Sequence, residues 1–411
     1  MSGRRLAFVY SPELEGLSYP PECPFKTQRL GLTRRKLLAL GLLRRDGAVE
    51  VPARPATQRE LERLHSPRYL DELERAAAGD LTATGFAMGL GGPDTPVFRD
   101  LYAYGAWACG SALTAAELLL ADVVDVAFSL AGGFHHAHAE LASGFCYLND
   151  VALACERLAD AGRRVAYVDV DAHHGDGVQD FFYRRRDVLT ISLHESGRTL
   201  FPGGGFEDEI GEGPGRGYAV NVPLPAGTYD EAYLTAFDAV VWPLLLAYGP
   251  EVLVVELGLD TLAGDPLTHM ELTNNAVVAV LERLLALHRP MLVAGGGGYH
   301  VDHTVRGWAL AWRTCLESAG EEEEFLSNVG GVFLGSSEWA GGLRDAARPV
   351  SAEQRAAVEP EVRATIRRVQ ELVFPQFGLA PKSVPGGGRG LTGSANLEET
   401  NPQTRRVRNT L

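Results

Sequence analysis

Residues 165–176 read Val165-Ala166-Tyr167-Val168-Asp169-Val170-Asp171-Ala172-His173-His174-Gly175-Asp176. A short apolar run bounded by polar residues has the character of a strand buried on both faces. This one ends in three carboxylates and two imidazoles, which serve a hydrophobic core poorly because buried charge needs a partner. They suit a metal ion and the groups that orient its ligands.

Working outward, similar runs recur at Leu6–Tyr10, Val126–Leu130, Val188–Leu193, Ala219–Val222, Val252–Leu257 and Met291–Ala294. Segments of helical periodicity lie among them: Leu101–Leu120, Asp150–Ala161, Asp230–Ala247, Glu271–Leu287 and Val305–Glu317. This alternation predicts an α/β fold, a single domain with a mostly parallel central sheet flanked by helices. No Pro/Gly/Ser-rich linker divides residues 1–320, and Ala352–Leu372 is expected to be a helix packed back on the same domain. The main domain is therefore taken as 1–380. Residues 381–411 are expected to form a mobile tail, and Glu321–Glu324 a solvated charge run.

In open parallel sheets, ligands bind beyond the carboxyl ends of the strands. His135 and His136 follow one run, Asp169–Asp176 a second, Asp260 and Asp265 a third, and Tyr299 a fourth. Four segments thus bring reactive groups to one sheet edge.

Bulk properties narrow the function. A net charge of −15 argues against non-specific nucleic-acid binding, which requires clustered positive charge. It is compatible with a cationic small molecule or a lysine-rich peptide. The five cysteines form no Cys-x-x-Cys pair, so no disulfide framework is expected and a cytoplasmic location is the default. The N-terminal segment lacks the apolar stretch of a signal peptide. No run reaches the roughly 18 apolar residues of a membrane span.

A catalytic zinc takes three protein ligands and keeps an open position. Asp171 and His173 alternate along an extended segment and can meet on one side of it. Asp265, in Gly264-Asp265-Pro266, is the best third ligand, with a turn or helix cap as its rival role. The mixed oxygen and nitrogen set favours Zn2+ and would also accept Fe2+ or cobalt. His135 and His136 follow Gly132-Gly133-Phe134, a turn that lets both face a cleft. Neutral imidazole can accept a proton and imidazolium can give one, each better when a carboxylate fixes the tautomer. Asp169 and Asp176 are free for that duty. Tyr299 follows Gly295–Gly298, which lacks the lysine and serine or threonine of a phosphate loop, so its phenol is read as an oxyanion donor. Together these parts describe metal-assisted amide hydrolysis, with the metal polarising a carbonyl and activating water. Phe145 and Phe201 are candidates for the walls of an apolar channel.

Five stretches, in order, resemble the histone deacetylase family and its arginase/deacetylase fold. They are Gly132–Ala137, Gly144–Asp150, Asp169–Gly177, Asp260–Pro266 and Gly295–Tyr299, and the similarity covers roughly residues 1–315. The chain is most similar to the bacterial acetoin-utilisation deacetylases. The resemblance implies hydrolysis of the acetyl amide of N6-acetyl-lysine, notably on acetyl-CoA synthetase, with release of acetate. It implies Asp171, His173 and Asp265 as zinc ligands, and His136 as principal base held by Asp176. It further pairs His135 with Asp169, and makes Tyr299 the oxyanion donor. It adds a structural K+ near Asp169, Asp171, His173, Ser192 and Leu193. Gly144, Phe145 and Phe201 would line the acyl-lysine tunnel, with Leu272 at its rim. Relatives specialised for acetylpolyamines carry an acidic residue near that rim, and Glu271 stands one position away, so small acylated amines are the alternative substrates. Arginase-like chemistry fits less well, because it wants a two-manganese carboxylate site. A silent binding protein would be expected to lack one of these residues.

Overall fold

The structure, a computed structural model, describes residues 4–317 and 342–382. The charge run at Glu321–Glu324 and nearly all of the expected tail lie outside the described residues. Eight strands form one sheet: β1 (Leu6–Tyr10), β2 (Ala48–Pro52), β3 (Val126–Ser129), β4 (Val165–Asp169), β5 (Val188–Glu195), β6 (Ala219–Leu224), β7 (Val252–Glu256) and β8 (Met291–Ala294). Their order is β2-β1-β3-β8-β7-β4-β5-β6, and every pair is parallel. Every residue of β3 to β8 is buried, as expected for strands covered by helices on both faces.

The order places β3, β8, β7 and β4 side by side at the centre. These are the four strands whose trailing loops carry the reactive residues. With strands about 4.8 Å apart, their carboxyl ends span about 14 Å, close enough for the loops to meet. Convergence therefore follows from strand order.

Sequence periodicity missed β2, which is short, partly exposed and held at the sheet edge only by β1. The helix expected over Asp230–Ala247 is broken by a π-turn at Phe237–Val241. Pro243 has no N–H to donate to the carbonyl of Ala239 four residues back. Gln370 Nε2, from the helix Ala352–Val373, donates to that carbonyl at 2.9 Å. In the same helix, Thr365 Oγ1 donates to Pro223 O at 3.0 Å. The last helix thus packs on the main domain as expected. Among the described residues, no helix is long and apolar enough to cross a membrane.

Candidate active site

Two carboxylates and an imidazole form the centre. Ligand atoms of Asp171, His173 and Asp260 all lie within 4.8 Å of one another, and all three side chains are buried. His173 Nδ1 is 3.1 Å from Asp171 Oδ1 and 2.9 Å from Asp260 Oδ2. Burial opposes charge on His173, but Asp260 and Asp171 outweigh it and raise its pKa to about 10. Asp260 is itself pushed up to about 7 by burial and by Asp171. Such crowding of negative charge, with oxygen and nitrogen donors converging, fits a divalent cation.

Of the three ligands read from sequence, Asp171 and His173 belong to this group and Asp265 does not. Asp265 Oδ1 accepts from Leu267 N at 2.9 Å, and Oδ2 from Tyr299 N at 2.7 Å. It therefore also fixes the backbone that carries the phenol. Sequence reasoning noted Asp260 at the strand end without seeing it as a partner of His173.

Both expected histidine–carboxylate pairs are present. His135 Nδ1 lies 2.9 Å from Asp169 Oδ2, and His136 Nδ1 lies 2.7 Å from Asp176 Oδ1. Tyr167 OH donates to Asp169 Oδ2 as well, at 2.6 Å. The environments of the two rings differ. Burial disfavours charge on both, but Asp169 and Asp171 raise His135 to about 9, whereas burial and neighbouring His135 lower His136 to about 4. Their Nε2 atoms are 3.0 Å apart. A charged His135 donating from Nε2 to the Nε2 of a neutral His136 satisfies that contact.

The loop that carries them is anchored twice. Asp150 Oδ1 accepts from Gly133 N at 3.0 Å and Phe134 N at 2.8 Å. Asn149 caps the helix Asp150–Asp160 through Ala152 N, and its Nδ2 donates to Ala137 O at 2.9 Å. One side chain thus starts a helix and holds the histidine loop.

Tyr299 rides on Gly295–Gly298. Arg29, fully buried and distant in sequence, donates from Nη1 to Gly298 O at 2.8 Å and from Nη2 to Gly296 O at 2.9 Å. Nothing in the sequence marks Arg29, since one arginine in an amphipathic segment carries no chemical pattern. Burial, with Asp260 and Asp171 nearby, raises the Tyr299 phenol well above its ordinary value, so it stays protonated and able to donate.

The apolar walls stand above this floor. Phe201 meets His136 edge-on with ring centroids 5.0 Å apart, and Phe145 meets Tyr299 at 5.8 Å. Gly144 and Phe145 both have positive φ, 52° and 65°, and Tyr19 OH donates to Phe145 O at 2.8 Å. A Cβ on Gly144 would lie 2.5 Å from His136 Cδ2 and 2.8 Å from Phe201 Cε1, so only glycine fits between the two rings. Leu272 is buried and lines a cavity of about 530 Å³ with Leu262, Gly264 and His300. Glu271 turns outward to Arg348 at 3.2 Å.

Residues 23–315 match the histone deacetylase domain. The chain is 37% identical to "Histone deacetylase 8" of Xenopus tropicalis over 315 residues, 75% of this chain and 84% of that protein. It is 39% identical to "Acetoin utilization protein AcuC" of Bacillus subtilis over 318 residues, 75% of this chain and 81% of that protein. A solved structure described as an HDAC homologue complexed with SAHA superposes with a TM-score of 0.76 at 32% identity, covering 90% of this chain and all of that one. A vertebrate and a bacterial relative match about equally well, so these identities fix the family and leave the subfamily open.

Proposed function

The chain belongs to the histone deacetylase family, and on that premise we propose that it hydrolyses the acetyl amide of N6-acetyl-lysine in proteins or peptides, releasing acetate. One observation carries the reading. A buried Asp171–His173–Asp260 cluster, two histidine–carboxylate pairs and a protonated Tyr299 meet beneath the walls formed by Phe145 and Phe201.

Asp171, His173 and Asp265 would hold the metal, Zn2+ or Fe2+, with Asp260 orienting His173 or taking the third place. When bound, the metal supplies Lewis acidity toward the amide carbonyl and the attacking water. His136, neutral and oriented by Asp176, accepts the proton of that water. His135, kept charged by Asp169, is placed to return a proton to the departing amine. Tyr299 donates its phenolic proton in a hydrogen bond to the oxygen on which charge develops. The aromatic walls suit a methylene chain and exclude water around the amide.

The finer expectations rest on the family resemblance. A structural K+ near Asp169, Asp171, His173, Ser192 and Leu193 has the resemblance alone behind it. Acetyl-CoA synthetase as partner has the resemblance alone behind it. The acetylpolyamine alternative needs an acidic residue free at the rim. Leu272, at the position the resemblance gives to the rim, is buried and apolar, while Glu271 pairs with Arg348, which favours peptide lysine. Turnover of an acetyl-lysine peptide beside N-acetylputrescine tests the choice, and equal or faster polyamine turnover overturns it.

A further inference from the structure

Beyond the two histidine–carboxylate pairs, the polar chain continues outward. Asp176 Oδ1 takes His136 Nδ1 at 2.7 Å, while Asp176 Oδ2 lies 3.5 Å from His138 Nε2. His138 Nδ1 in turn lies 2.7 Å from Asp180 Oδ2. Side-chain exposure rises from 5% at His136 to 20% at His138 and 62% at Asp180, so the chain leads from the site to solvent.

Local structure explains the arrangement. Asp176 and Asp180 are four residues apart on the helix Asp176–Phe182, which puts both carboxylates on one face. His138 sits two residues beyond His136, and its backbone is fixed by donation from His138 N to Leu141 O at 2.9 Å. Only an imidazolium can donate from both ring nitrogens. Asp176, 3.5 Å from one ring nitrogen, and Asp180, hydrogen-bonded to the other, raise His138 to about 10, so it is charged at neutral pH.

We propose that His138 is a positioning residue: clamped between Asp176 and Asp180, it holds the Asp176 carboxylate in the orientation that His136 requires. The proposal rests on reading His136 as the base. Without the clamp, Asp176 keeps one side-chain partner fewer and can rotate away from His136 Nδ1. Lysine at 138 would keep a cationic donor between the two carboxylates, whereas alanine would not.

The test is a set of variants of the metal-loaded full chain assayed on an acetyl-lysine peptide. His138→Ala is expected to lower kcat about tenfold with KM unchanged, and His138→Lys to recover most of that loss. Adding His138→Ala to Asp176→Asn should cost nothing further, because the effect passes through Asp176. A second readout needs no substrate: the downfield imidazole proton resonance that disappears in Asp176→Asn reports the His136–Asp176 bond. That resonance should shift or broaden in His138→Ala and return in His138→Lys. An unchanged resonance in His138→Ala, or equal losses in the alanine and lysine variants, overturns the proposal. A wild-type chain inactive on the peptide, or a fully active His136→Ala, would instead overturn the functional reading, and the resonance would still decide the role of His138.

Discussion

Glu256 offers a test that is independent of substrate. It ends β7 with 0% exposure, and neither carboxylate oxygen has a hydrogen-bond partner among the described residues. It lies in register with Asp169, and a Cβ on Gly133 would come within 2.4 Å of its Oε1. Burial first, then Asp169 and Asp150, push its pKa well above the ordinary value, so the folded protein keeps this group neutral. The sign follows from linkage. Below the unfolded pKa of about 4.5 both states hold the proton and nothing is lost; above it, only the unfolded state releases the proton. Wild-type stability should therefore fall by about 1.4 kcal/mol per pH unit from this group alone, until the folded pKa is reached. Glu256→Gln removes the titration at nearly constant shape, leaving an amide as unpaired as the protonated carboxyl it replaces. The stability of the variant relative to wild type is therefore expected to rise with pH above 5. Denaturant unfolding of both proteins at pH 5, 6, 7 and 8, with metal chelated, reads the difference directly. A stability difference that stays flat across this range would refute the assignment of a neutral buried carboxyl.

Other consequences are equally direct. Tyr299→Phe should lower kcat about 10²–10³-fold, with little change in KM, in steady-state assays on an acetyl-lysine peptide. Gly144→Ala places a methyl against His136 and Phe201 and should abolish most turnover while circular dichroism stays native. Adding Zn2+ to chelated protein should raise the melting temperature, by about 2.7 kcal/mol of stability at a hundredfold excess over Kd. Asp171→Ala should lose that response. Glu271→Ala should leave peptide turnover within about threefold, because a half-exposed pair with Arg348 contributes little.

Much of this was legible in the sequence because strands buried on both faces leave uninterrupted apolar runs. β1 and β8 begin and end where their runs do, and the reactive residues sit at the ends of four such runs. Elimination also left Asp169 and Asp176 to orient the two histidines, while the pairing of each with its own carboxylate came from the family resemblance. Strand order was not legible, because local periodicity does not say which strand neighbours which. The supporting residues were invisible for a related reason. Arg29 reaches Gly296 and Gly298 across more than 260 residues, and Asp260 meets His173 across 87. Such contacts follow from the closed fold and leave no trace in spacing. Edge strand β2 escaped because half-exposed, proline-ended strands lack a clear apolar alternation.

The central claim is a metal-dependent deacetylase site, and one measurement addresses it most directly. Acetate release from an acetyl-lysine peptide is compared for chelated protein, the same protein reloaded with Zn2+ or Fe2+, and reloaded Asp171→Ala. Release that is absent after chelation, restored by metal and absent in the variant is the predicted result. Undiminished release from metal-free protein, or none from fully loaded wild type on either the peptide or N-acetylputrescine, would contradict it.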